Sequence, residues 1–125
     1  MTQSTSATRS GNSLISSEDV QGTQVFSPDG SHIGDIDHMM IEKMSGKVAY
    51  AMMSFGGFMG MGTSLYPVPW GALQYDTGMG GYRTNITEAQ LQNAPAYDDN
   101  SWTDRKWEEN VHRHYKAPSY WDGSF

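Results

Sequence analysis

With 125 residues, 37% of them hydrophobic, the chain has room for one domain with a compact core and solvated ends. Its net charge is −6, and its eight Lys and Arg are scattered rather than gathered into the basic stripe that displacing counterions from phosphates requires, so no nucleic-acid partner is expected. It has no cysteine, which excludes disulfides, thiol chemistry and thiolate metal sites.

Residues 1–13, MTQSTSATRSGNS, carry almost no large apolar side chain and predict a disordered lead. They lack the apolar stretch of a secretory leader. No apolar run approaches the roughly 18 residues that span a bilayer. The expectation is a cytoplasmic protein without membrane insertion.

Ser17 caps a single predicted helical turn that Gly22 ends. A short strand, Thr23 to Phe26, leads into Ser27-Pro28-Asp29-Gly30. There Pro28 presets φ and Asp-Gly supplies a positive-φ position, so the turn joins two antiparallel strands. The second strand is predicted over Ser31 to Glu42. Its Ile33-to-Ile36 step breaks strict alternation at Gly34, which predicts a bulge or bend. Met44-Ser45-Gly46 makes the next turn. The strand Lys47 to Phe55 is apolar on both faces, the pattern of a strand covered on both sides.

Residues 55–62, FGGFMGMG, form a predicted hairpin loop. Its glycines permit positive φ, while Phe55, Phe58 and Met61 either fold back onto one end of the sheet or, with Met59, meet a partner. No Lys-Ser/Thr follows Gly62 and the next element reads as a strand, so this is not a phosphate loop. Leu65 to Trp70 follows, with alternating Pro67 and Pro69 deleting donors from one lateral edge and predicting an edge strand. Leu73 to Tyr75 and Tyr82 to Asn85 complete the strands around a loop at residues 76–81. Thr87-Glu88-Ala89-Gln90 is a capping box opening a short helix before Pro95. Residues 96–103 read as a polar linker holding Trp102. A second helix, Asp104 to Tyr115, presents a narrow stripe of Trp107, Val111 and Tyr115 that must dock on the sheet, dock on a partner, or fray.

Few side chains suggest chemistry. Asp35 and Asp37 share a strand face beside His38 and could hold a hard cation, although a solvent-facing strand explains them more simply. His112 and His114 lie about 200° apart on a helix and do not chelate; contact with solvent or a partner is expected for them. The nine methionines could offer thioethers to a soft metal, with Met59 and Met61 in the Met-rich loop, but core filling accounts for most of them. No nucleophile–base pair can be argued from spacing, so no catalytic residue, metal or cofactor is expected.

The series Val25-Phe26-x-Pro28-x-Gly30, Ile33-Gly34-x-Ile36, Gly46-Lys47-Val48-Ala49-Tyr50, Ser54-Phe55-Gly56-Gly57-Phe58-x-Gly60-x-Gly62 and Leu65-x-x-Val68-Pro69-Trp70 resembles the PRC-barrel. That domain is shared by the cytoplasmic part of the photosynthetic reaction-centre H subunit and the C-terminal part of a ribosome maturation factor. The resemblance covers residues 14–86. It is greatest to stand-alone bacterial PRC-barrel proteins with a Trp/Tyr-rich extension, here residues 87–125 with Leu91-x-x-Ala94-Pro95 and Trp107 to Trp121. It implies an all-β barrel of five to six short strands with a helical C-terminal extension, used as an adaptor, and it implies no catalytic residues. Such proteins often place an acidic residue and a lysine after the last loop glycine; here Thr63 and Ser64 stand there. The long transmembrane helix of the H subunit has no counterpart.

The functional expectation is a non-enzymatic protein-interaction module that self-associates as a homodimer. Its candidate interaction residues are Phe58, Met59, Met61, Trp102, Trp107, Tyr115 and Trp121, aromatic and flexible apolar types that anchor interfaces. Packing of the tail aromatics on the chain's own barrel is the competing reading. The alternative function is a small-molecule or metal binder using Asp35, Asp37 and His38 or the Met-rich loop.

Overall fold

The computed structural model describes residues 13–55 and 64–121. The predicted lead, apart from Ser13, and the loop residues Phe58, Met59 and Met61 lie outside the described residues.

Chain order is α1 (Ser17–Val20), β1 (Gln24–Phe26), β2 (His32–Ile41), β3 (Val48–Ser54), β4 (Tyr66–Pro69), a 3-10 turn (Trp70–Ala72), β5 (Gln74–Asp76), β6 (Gly81–Arg83), α2 (Glu88–Gln92), a second 3-10 turn (Asp99–Thr103) and α3 (Arg105–Tyr115). The strands form one six-stranded sheet in the order β4-β3-β2-β1-β6-β5. Every pair is antiparallel except β1–β6.

The local signals translate directly. Gly30 and Gly46 take φ of 88° and 79°, the left-handed values their turns require. Ser16, one residue before the expected cap, accepts a hydrogen bond from the Glu18 N–H and opens α1. Thr87 and Gln90 form the reciprocal capping box of α2.

β2 is bent where Gly34 predicted it. Val25 pairs with Gly34 and Phe26 with His32, leaving Ile33 as the extra residue of a bulge. Gly34 has no room for a side chain, because a Cβ there would stand 2.2 Å from the Ser54 carbonyl oxygen. A second irregularity, against β3, skips Asp37. A third irregularity, also against β3, lies between Met40 and Ile41, and the ten-residue strand pairs with both β1 and β3.

Two features differ from an all-β barrel. Among the described residues the sheet has two ends, β4 and β5, and it is mixed rather than antiparallel throughout. The ends have local causes: Pro67 and Pro69 carry no N–H to donate to a further strand, and β5 has only three residues. In addition, among the described residues three α-helices accompany the sheet, and α3 contributes to the core. The fold is mostly β with a helical extension.

The sheet core is apolar. Val25, Ile36, Ala51, Met53, Phe55 and Val68 are all 0% exposed. Burying each large aliphatic or aromatic side chain is worth about 1.5–3 kcal/mol relative to leaving it in water. β3 is buried along nearly its whole length, as its two-sided apolar pattern predicted. The cover over Tyr50 comes from the C-terminal extension.

Candidate functional site

Tyr50 is the point at which the extension meets the sheet. Its ring is ringed by Trp102, Trp107, His112 and Tyr120, with centroids 5.4–6.0 Å away. Such offset and edge-on pairs add about 0.5–1.5 kcal/mol each beyond the area they bury. Its hydroxyl donates to Glu108 Oε1 at 2.9 Å and stands 3.1 Å from His112 Nε2. The Tyr120 hydroxyl donates to the same Glu108 oxygen. Arg105 lies 3.6 Å from Glu108 Oε2 and 4.0 Å above the ring of Trp121.

The sequence around α3 builds this cluster. Asp104 caps the helix, its carboxylate accepting from the N–H groups of Lys106 and Trp107. Residues 107, 108, 111, 112 and 115 are buried, so the face against the sheet is two residues wide and includes Glu108 and His112. The helix ends in a Schellman motif. Lys116 is left-handed at φ 56°, its N–H bonds the Arg113 carbonyl, and the Ala117 N–H bonds that of His112. This reversal returns the chain so that the Pro118 carbonyl accepts from His112 Nδ1 at 2.9 Å. Pro118 in turn seats on Gly71, where a Cβ would come within 2.8 Å of the proline ring. Trp107 is fixed by its indole N–H donating to the Ala96 carbonyl at 2.8 Å.

Burial governs the titrating groups. Desolvation raises Tyr50, helped by the charge and hydrogen bond of Glu108. Desolvation and the Glu108 hydrogen bond push Tyr120 up to about 12. Both phenols therefore stay protonated across the physiological range and act as donors. Desolvation lowers His112, opposed by the carbonyls of Pro118 and Ala117 and by Glu108.

Beside this cluster an apolar groove of about 480 Å³ opens between β4, the segment after α2, and α3. Leu65, Tyr66, Pro67, Pro95, Tyr97 and Tyr115 are among its walls. The Tyr115 hydroxyl is buried without a hydrogen-bond partner among the described residues, and desolvation raises its pKa.

The expected interaction residues divide. Trp107 and Tyr115 are buried in the chain's own core, while Trp102 and Trp121 are half-buried against it. His112 was expected to face solvent or a partner; it is instead buried against Tyr50, and His114 contacts the Gln90 carbonyl. The narrow apolar stripe of α3 concealed this, because the second row of the buried face is polar. Glu108 and His112, four residues apart beside Val111, were the available signal.

Asp35, Asp37 and His38 do not converge. The register of β2 against β3 breaks at Asp37, and each carboxylate takes its own histidine: Asp35 with His32 at 3.0 Å and Asp37 with His38 at 2.7 Å. Among the described residues no group of three or more His, Asp or Glu could hold a metal ion. Among them too, no helix is long and apolar enough to cross a membrane.

No curated protein matches the chain. The family model of the PRC-barrel domain matches residues 13–91, from the segment before α1 into α2. The match spans the whole sheet and stops before the second 3-10 turn and α3, so the helix that covers Tyr50 lies beyond it. It takes in well over half of the 125 residues, and the chain therefore belongs to the PRC-barrel domain family.

Proposed function

We propose that the protein is a non-enzymatic, cytoplasmic protein-interaction module that self-associates. Membership of the PRC-barrel family supports an interaction role. The observation that carries the specific reading is the open apolar groove between β4 and the helices, with Tyr97 at its exposed margin and Leu65 and Tyr66 half-buried in its wall. Aromatic and proline walls of this kind hold apolar segments of a partner. Trp107 and Tyr115 are occupied by the chain's own core, so the surface offered to a second copy is the groove rather than the tail aromatics.

Sedimentation of the full chain over a wide concentration range tests this. A dimer that Tyr97→Asp loosens is the expected result. A monomer at every concentration would overturn self-association.

A further inference from the structure

Aromatic rings join the buried Tyr50 to two indoles nearer the surface. Trp102 lies 5.9 Å from Tyr50 and 5.4 Å from Trp107, which itself lies 5.8 Å from Tyr50, all between ring centroids. On the other side Trp121 lies 5.1 Å from Tyr120, and Tyr120 lies 6.0 Å from Tyr50. Rings at these separations touch at their edges, so an electron passes between them over little more than a van der Waals contact. Trp102 and Trp121 are half-buried, while Trp107, Tyr120 and Tyr50 are buried, so both paths run from the surface inward.

The charges are graded along these paths. The Arg105 guanidinium carbon stands 4.0 Å from the centre of the Trp121 ring and 5.7 Å from that of Tyr120, so it penalises a positive charge on Trp121 most. The Glu108 carboxylate meets the hydroxyls of Tyr50 and Tyr120. The positive hole left when an electron is removed is therefore disfavoured on the outer ring and favoured beside Glu108.

An oxidised phenol is a strong acid, so a buried tyrosine gives up an electron only as its proton finds a base. Tyr50 has that base, because Glu108 Oε1 accepts its hydrogen bond at 2.9 Å, within the reach that proton transfer needs. The chain has no cysteine, so no thiol of its own competes for the hole.

We propose that the Tyr50 cluster is a redox relay that draws an electron hole from the outer indoles onto Tyr50. A one-electron oxidant of the diffusible radical class removes an electron from Trp102 or Trp121 and is itself reduced by one electron. An electron from Tyr50 refills the indole, from Trp102 directly and from Trp121 across Tyr120. The phenolic O–H bond of Tyr50 breaks, and its proton forms a new O–H bond with Glu108 Oε1. The indole ends as it began, and the products are a neutral Tyr50 phenoxyl radical and a neutral Glu108 carboxylic acid. The step places no new charge away from water. The relay is independent of self-association and is tested without any partner.

Pulse radiolysis at neutral pH, with azide radicals taking an electron from indoles, reads the relay. Trp70, which lies 5.2 Å from Tyr82, is replaced by Phe throughout, so that the remaining three indoles all belong to the cluster. The expected result is first-order conversion of the indole radical's absorption into that of a phenoxyl, at a rate independent of protein concentration. Tyr50→Phe should slow the conversion severalfold or more, whereas Tyr75→Phe, at an exposed ring paired with Tyr82, should leave it unchanged. An equal rate in Tyr50→Phe, or indole radicals that decay only by second-order processes, would overturn the relay. If Tyr50→Phe disturbs the docking of α3, paramagnetic resonance of the phenoxyl trapped by freezing the chain that retains Tyr50 decides. A radical coupled to an exchangeable deuteron in heavy water and indifferent to a soluble paramagnetic relaxant supports the relay. One that the relaxant broadens, or that lacks the deuteron, overturns it.

Discussion

The sheet and the extension are held by different kinds of interaction. The sheet packs over a largely apolar interior in which Val25, Ile36, Met53 and Val68 are fully buried. The extension is held by rings and by a shared carboxylate, with Glu108 and His112 buried at its centre. Apolar burial is non-directional and tolerates adjustment. A buried polar cluster demands every partner at once, because each group left unpaired costs about 1–3 kcal/mol. The core therefore sets whether the chain folds, while the cluster sets where its last helix lies.

Single substitutions should separate the two regions. Ile36→Ala empties a site with 0% exposure and is expected to cost about 2–5 kcal/mol in chemical denaturation, destabilising sheet and extension together. Tyr50→Phe keeps the ring contacts but removes the hydroxyl shared by Glu108 and His112. It is expected to cost about 1–3 kcal/mol, with faster amide exchange confined to α3. Gly71→Ala drives a methyl against Pro118 and is expected to loosen the segment after α3 by about 1–3 kcal/mol, visible as a change in Trp121 fluorescence with the strands unaltered. The smallest effect is expected at Lys116, a left-handed non-glycine residue. Lys116→Gly relieves that strain and should raise stability by about 0.5–1 kcal/mol, measured by thermal unfolding, with the added chain entropy of glycine offsetting part of the gain. A Tyr50→Phe loss spread evenly over β3 and α3 would break the distinction between the regions.

The same contrast explains what could be read from the sequence. Strand positions were legible because turn residues have local causes: the Asp29-Gly30 turn, the Gly34 bulge and the proline-limited β4 all depend on backbone conformation or a missing N–H. The β1–β6 parallel pairing was not legible, since it joins residues 25 and 82 with no local marker. Nor was the Tyr50 cluster, which joins side chains 58 and 62 residues apart. Along β3, Tyr50 looks like any other buried aromatic, and along α3 Glu108 and His112 look like solvent-facing polar residues. Only the docking of one element on the other makes them partners. The hard-cation reading of Asp35, Asp37 and His38 finds no support among the described residues, where each carboxylate pairs with its own histidine, and the Met-rich loop lies outside them.

The extension is locked onto the chain's own sheet through the Tyr50–Glu108 contact. A double-mutant cycle of Tyr50→Phe and Glu108→Gln, read by chemical denaturation at several protein concentrations, tests it most directly. The expected result is a coupling energy of about 1–2 kcal/mol that does not change with concentration, as an intramolecular contact requires. Additive single effects, within about 0.5 kcal/mol, or a coupling that vanishes on dilution would contradict it.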